Sequence, residues 1–167
     1  MISFIKKGNH YPTLWSKVKG FGFTTKNNFR YSIRFDKSCL YDLKSSDNFD
    51  CNKLCGVSTS YSHMQQSARF GWRCTDNKNI EILSFVHDNG TFLEPHVLGV
   101  VSVDEWFECS IDIYYDVFTF KFLSNSIKNE FDVKISKKPW NLKYNLGFYF
   151  GGNCVSPHDM FVDIKRI

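Results

Sequence analysis

At 167 residues the chain has the length of one domain. It can bury roughly 70% of its unfolded surface and so needs no metal or disulfide to hold a core. Aromatic residues reach 17%, with 17 phenylalanines, a composition of large rings that suits sheets better than helices. The net charge is only +4, with Lys and Arg scattered among Asp and Glu, which excludes a nucleic-acid-binding tail and leaves a mild preference for acidic partners.

The N-terminal Met1-Ile2-Ser3-Phe4-Ile5-Lys6-Lys7 has no long apolar stretch or small-residue cleavage site, and no later run approaches 18 apolar residues. Synthesis in the cytosol without a signal peptide, and no insertion into a membrane, are therefore expected. Cys39, Cys51, Cys55, Cys74, Cys109 and Cys154 contain no CxxC pair and read as reduced thiols, Cys74 and Cys109 as small core residues. Cys51, Cys55 and His63 match no standard zinc spacing. No metal or cofactor is expected.

In chain order, Ile2 to Lys6 reads as an edge strand, followed by an irregular stretch through Tyr11, Pro12 and Trp15, punctuated by Gly20 and Gly22. Phe29, Tyr31, Ile33 and Phe35 alternate with Arg30, Ser32 and Arg34, the signature of a half-buried strand. Clustered Asp, Ser, Asn and Lys make 36–52 a surface loop. That loop leads into Lys53-Leu54-Cys55-Gly56-Val57, and Tyr61 to Gln66 is a second loop. It leads into Ser67-Ala68-Arg69-Phe70-Gly71-Trp72-Arg73, where Ala68, Phe70 and Trp72 share a core face and Ser67, Arg69, Gly71 and Arg73 share the other. That second face is either solvated, as one side of an antiparallel sheet commonly is, or lines a groove for an anionic or polyhydroxylated ligand. Thr75 to Asn79 is a turn, with Ile80 to His87 as the partner strand and Asp88-Asn89-Gly90 as the next turn.

Val97 to Val103 is a further strand, and Asp104-Glu105-Trp106 a turn. Phe107, Cys109, Ile111 and Ile113 then answer Phe118, Phe120 and Phe122 across Tyr114-Tyr115-Asp116, a well-defined hairpin. Phe131 to Ile135, Tyr144 to Phe150 and Met160 to Ile167 complete about ten strands, with a break at Pro139-Trp140. Almost no helical periodicity is present. The pattern predicts a single all-β domain over 1–167, an antiparallel β-sandwich of two packed sheets.

The segment Lys53-Leu54-Cys55-Gly56-Val57, then Ser67-Ala68-Arg69 and Trp72-Arg73, resembles the jelly-roll polysaccharide lyases that cut alginate and glucuronan. Those enzymes carry Lys-Leu-Pro-Gly-Leu and then a Ser-x-Arg strand followed by Trp-Arg. The ending Tyr149-Phe150-Gly151-Gly152-Asn153 is similar to the same family's Phe-Phe-Gly-Gly. The resemblance runs from Lys53 to the C-terminus and implies a concanavalin-like jelly roll. It also implies a concave groove in which a lysine, the serine and arginine of the Ser-x-Arg strand, and two tyrosines of the following strand carry out β-elimination. Lys53, Ser67 and Arg69 match. The tyrosine places fall on Glu81 and Leu83, or on Leu83 and Phe85, and Cys55 replaces the proline. Loss of a general acid/base forfeits a factor of about 10² to 10⁴ in rate while leaving a groove able to bind.

The expected function is therefore a non-catalytic module with a groove around Lys53, Ser67, Arg69, Arg73, Glu81 and His87, available for glycan or protein contact. The alternative is a divergent lyase using Lys53, Ser67 and Arg69, with Glu81 and His87 supplying a different base. Trp15, Trp106 and Trp140 are candidate sugar platforms, at most one of them in that role. His158-Asp159 reads as a loop in which Asp159 bonds backbone. A lectin-like fold without an export signal is reconciled by a phage particle, assembled in the cytosol and released by lysis. The expected partners are a glycan or another virion or scaffold protein, with a homo-oligomer left open.

Overall fold

The computed structural model describes residues 2–13, 22–75, 78–125 and 127–167. Its strands are β1 (Ile2–Ile5), β2 (Phe23–Thr24), β3 (Asn28–Phe35), β4 (Asn52–Ser58), β5 (Gln66–Cys74), β6 (Asn79–Asp88) and β7 (Thr91–Phe92). There follow β8 (Val97–Ser102), β9 (Trp106–Tyr114), β10 (Val117–Ser124), β11 (Ile127–Lys134), β12 (Lys143–Leu146) and β13 (Met160–Arg166). Trp15 and Gly20 lie outside the described residues.

All strand pairs are antiparallel and form two sheets. One has the order β1-β13-β3-β9-β10-β11; the other runs β2-β12-β4-β5-β6-β7, with β8 also on β6. This is the predicted sandwich. Its core follows the predicted alternation: Phe29, Ile33 and Phe35 from β3, Ala68, Phe70 and Trp72 from β5, and Phe118, Phe120 and Phe122 from β10 are all fully buried. Phe35 and Trp72 join the sheets at 5.2 Å between ring centroids, and Phe70 meets Phe120 edge-on at 5.4 Å. Cys74 and Cys109 are buried core residues, and all six thiols are free.

Two local readings are corrected by the structure, and one left open is decided. Residues 36–52 are not simply a surface loop: they contain two short 3-10 turns, Lys37–Cys39 and Ser46–Phe49, and send Cys39 and Tyr41 into the core. Polar residues dominate the count there, but two apolar anchors decide where the segment packs. The continuous strand expected over Tyr144 to Phe150 ends at Leu146, and the chain returns to the sheet as a single bridge of Tyr149 with Lys53. Most consequential is β5: the side carrying Ser67 and Arg69 is not solvated. Both residues are buried, because β12 and the segments around Tyr11, His63 and Tyr149 build walls over that face.

Lys53 reaches this covered face through an irregularity. Simple alternation would put Lys53 on the same side as the core residues Cys55 and Val57. The β4–β5 register slips between Lys53 and Cys55, so that Lys53 pairs with Gly71 while Cys55 pairs with the core residue Phe70. Such a bulge re-aims a side chain without ending the strand. Gly56 is needed beside it, since a Cβ there would lie 2.3 Å from the Ala68 carbonyl oxygen.

Candidate functional site

Antiparallel partners share a face, so the registers lay out the wall of a cleft as lateral rows. One row runs His87–Ser67–Ser58–Tyr144, the next Phe85–Arg69–Gly56–Leu146, and the next Leu83–Gly71–Lys53–Tyr149. Arg73 and Glu81 form the row beyond. The cleft has a volume of about 1300 Å³, and Lys53, His63, Arg69, Arg73, Phe85, His87 and Tyr149 are all on its lining.

Arg69 is the centre of the cleft. It is only 8% exposed, and among the described residues its Nε has no hydrogen-bond partner and no carboxylate is within ion-pair distance. Burial pulls its pKa down to about 10. Lys53 stands close by, its Nζ 4.8 Å from the Phe85 ring and 5.3 Å from the Tyr149 ring, with one hydrogen bond donated to the Gly151 carbonyl at 3.3 Å. Burial lowers the Lys53 pKa too, and Arg69 adds to the effect. His87 is 6% exposed: its ring lies among Phe85 and Phe92, and among the described residues its Nδ1 has no partner. Burial, then Arg69, holds both His63 and His87 below the ordinary imidazole range. Six basic side chains, Lys53, His63, Arg69, Arg73, His87 and Arg166, thus line one cleft with Asp50 as the single carboxylate among the described lining residues.

The other expected residues have different places. Ser67 is a positioning residue: its hydroxyl donates to the His63 carbonyl at 2.7 Å, while the His63 N–H donates to the Tyr144 hydroxyl at 2.9 Å, so the 61–65 loop is clamped from two sides. Arg73 lines the cleft but donates from Nε to Glu81 at 2.7 Å. Glu81 is neutralised by that pair and is absent from the lining, which leaves it badly placed as a base. Asp159 accepts the Lys7 N–H at 2.9 Å and the His158 ring bonds the Ser38 carbonyl at 2.7 Å, both structural roles.

Sequence reasoning missed Tyr149. Its phenol comes not from the strand after Ser-x-Arg but from the segment that bridges β4, where paired backbone bonds of 2.8 and 2.9 Å tie Tyr149 to Lys53. The ring is braced by stacking on His10 at 5.3 Å and edge-on contact with Tyr11 at 4.9 Å. A signal was present: Phe148 and Phe150 alternate as core residues, which forces Tyr149 to the opposite face. Burial, then the neighbouring Tyr11, raises its pKa, so the phenol stays protonated at neutral pH.

The depressed histidines predict the direction of pH dependence. In the unfolded chain each titrates near its ordinary 6.5, whereas the folded protein resists protonation until lower pH. The unfolded state then binds more protons, so stability falls as pH drops below about 6.5. Urea denaturation at pH 7.5 and 5.5 checks this; His87→Gln should flatten the slope, and an unchanged slope would remove His87 from the account.

The two-sheet sandwich is similar in fold to solved structures that include polysaccharide lyases. The alginate lyase from Klebsiella pneumoniae superposes with a TM-score of 0.59 at 10% identity, over 84% of this chain and 59% of that one. An alginate lyase from Alteromonas sp. 272 gives 0.50 at 11% identity over 84% of this chain and 70% of that one. An uncharacterised protein from Mycobacterium paratuberculosis gives 0.51 at 16% identity over 99% of this chain and 79% of that one. The chain therefore spans less than two thirds of the Klebsiella enzyme's length, and at these identities the likeness is one of fold. No protein-family model matches the sequence, and no curated protein matches it. The jelly-roll resemblance read from Lys53–Val57, Ser67–Arg73 and Tyr149–Asn153 is met in the structure.

Proposed function

We propose that the cleft binds an acidic, uronate-containing glycan without cleaving it. The observation that carries this reading is Arg69, a buried guanidinium with an unpartnered Nε beside the half-buried Lys53 ammonium and the neutral imidazoles of His63 and His87. Burying a charge without a partner is costly, and a carboxylate entering the cleft would supply the missing counter-charge and acceptors. The Phe85 and Tyr149 rings give the cleft an aromatic wall against which the Lys53 ammonium is held. The same reading extends to context: a small accessory or decoration protein of a phage particle, contacting cell-surface glycans or other virion proteins, made in the cytosol and carried on the virion.

A second reading, β-elimination, is favoured by one observation, the presence of the Tyr149 phenol in the cleft. Arg69 would neutralise the uronate carboxylate, and the tyrosine oxygen would take the α-proton as the ring double bond forms. The same proton would then pass to the departing glycosidic oxygen. Its raised pKa opposes the first of these transfers, because a phenol that holds its proton is a poor base. The test incubates the protein with polygalacturonate and alginate, following co-sedimentation and ultraviolet absorbance together. Sedimentation without absorbance is the expected result. Rising absorbance that Tyr149→Phe reduces by about 10²-fold or more would establish elimination instead. Silence in both would overturn both readings.

A further inference from the structure

Away from the cleft, a smaller pocket of about 420 Å³ lies where the β9–β10 turn meets the segment before β12. Its rim is aromatic and wet: Tyr114, Tyr115 and Trp140 are 69%, 68% and 52% exposed. Of the three tryptophans named as sugar platforms, Trp106 already has Arg34 and Lys165 over its ring at 5.1 and 4.1 Å, whereas Trp140 lines this pocket. Tyr115 occupies the turn with φ at 50°, a left-handed position that asparagine or glycine takes at less cost. A bulky ring is being held out at a position where the backbone disfavours it. The Trp140 backbone N–H donates to the Thr59 carbonyl at 2.8 Å, which anchors the segment, and the ring meets Tyr61 at 5.9 Å.

Lys143 supplies the polar end of the pocket. It is only 2% exposed, its Nζ donates to the Asn141 carbonyl at 3.1 Å, and among the described residues no carboxylate is within ion-pair distance. Burial lowers its pKa, as expected of an ammonium without a counter-charge. Asn27 and Asn141 add amides to the same lining. Flat aromatic faces, amides and one buried cation together are the chemistry that receives a pyranose ring bearing an acid group.

We propose that this end pocket is a second glycan subsite, seating one pyranose of an acidic glycan against Trp140 and Tyr115 with its carboxylate on Lys143. It shares the ligand class of the cleft but none of its residues, so the two stand or fall separately. The test records proton–nitrogen correlation spectra during titration with trigalacturonate, and with maltotriose as the uncharged probe, in the wild-type protein and in Arg69→Met. The Trp140 indole signal, assigned with Trp140→Phe, should shift saturably with trigalacturonate in both proteins. Maltotriose and the Lys143→Met variant should each bind about ten- to hundredfold more weakly. Tyr115→Asn relieves the turn and removes the ring, so it should weaken binding while leaving the melting temperature unchanged or higher. An indole shift lost in Arg69→Met, undiminished in both Lys143→Met and Tyr115→Asn, or equal with maltotriose would overturn the proposal, as would no shift at all. A shift at Trp140 with none at His87 would leave the end pocket standing and remove the cleft as a glycan site.

Discussion

Replacing Arg69 by methionine is expected to make the protein more stable and to abolish its use. Methionine keeps much of the side-chain volume and removes a buried charge that no carboxylate in ion-pair distance compensates. Exchanging buried ionic groups for apolar ones of similar size commonly gains about 1–4 kcal/mol, and the lower half of that range is expected here. In the same variant, affinity for a polyuronate should fall by about 30- to 1,000-fold, the equivalent of losing 2–4 kcal/mol from a desolvated charge pair. The opposing signs are the informative part. A residue kept for stability loses stability when replaced, whereas one kept for a ligand costs stability until the ligand arrives. Urea denaturation with and without polygalacturonate separates the cases: a destabilised Arg69→Met that still binds would make Arg69 a structural residue and end the glycan reading.

Trp72→Ala should give the largest loss of stability of any single truncation proposed for this chain, about 3–5 kcal/mol. The indole is fully buried and meets Phe35 at 5.2 Å from the facing sheet, Tyr41 at 5.8 Å, Phe148 at 5.8 Å and Phe150 at 6.1 Å. It therefore anchors three otherwise separate pieces: the other sheet, the segment between β3 and β4, and the chain that follows β12. Phe148 and Phe150 flank Tyr149, so the cavity should loosen the cleft wall as well as the core. Melting temperature should drop by roughly 10 °C or more. Any binding left under folding conditions should be weaker than wild type, and titration at low temperature reads this. A loss under about 1 kcal/mol would mean that the sandwich collapses around the gap and that Trp72 does not organise the cleft.

Fold class was legible because alternation is a local property. Each apolar residue of Phe29-Tyr31-Ile33-Phe35, of Ala68-Phe70-Trp72 and of Phe118-Phe120-Phe122 announces its face through its own neighbours two positions away. The hairpin at Asp88-Asn89-Gly90 announces itself through turn chemistry, and the one at Tyr114-Tyr115-Asp116 through the alternation on either side of it. The same logic grouped Ser67, Arg69, Arg73, Glu81 and His87 on one face, and the β5–β6 register places them there. Segment 36–52 was misread because two buried anchors, Cys39 and Tyr41, outweigh the polar residues around them.

What the amino-acid order determined by itself was therefore most of the long strands, their inward faces and the company Arg69 keeps along β5 and β6. Whether that company faces water was decided only by the tertiary structure. Periodicity states which side chains share a face and is silent on what lies opposite, because the covering groups come from remote chain positions. Tyr149 is 96 residues beyond Lys53 and reaches it only because β12 packs beside β4. Lys53 itself faces the cleft only through a register slip, which depends on pairing with β5 rather than on its own segment. Long-range pairing is selected by burial of the whole sandwich, and that global requirement turns a strand's polar side into a lined, desolvated cleft.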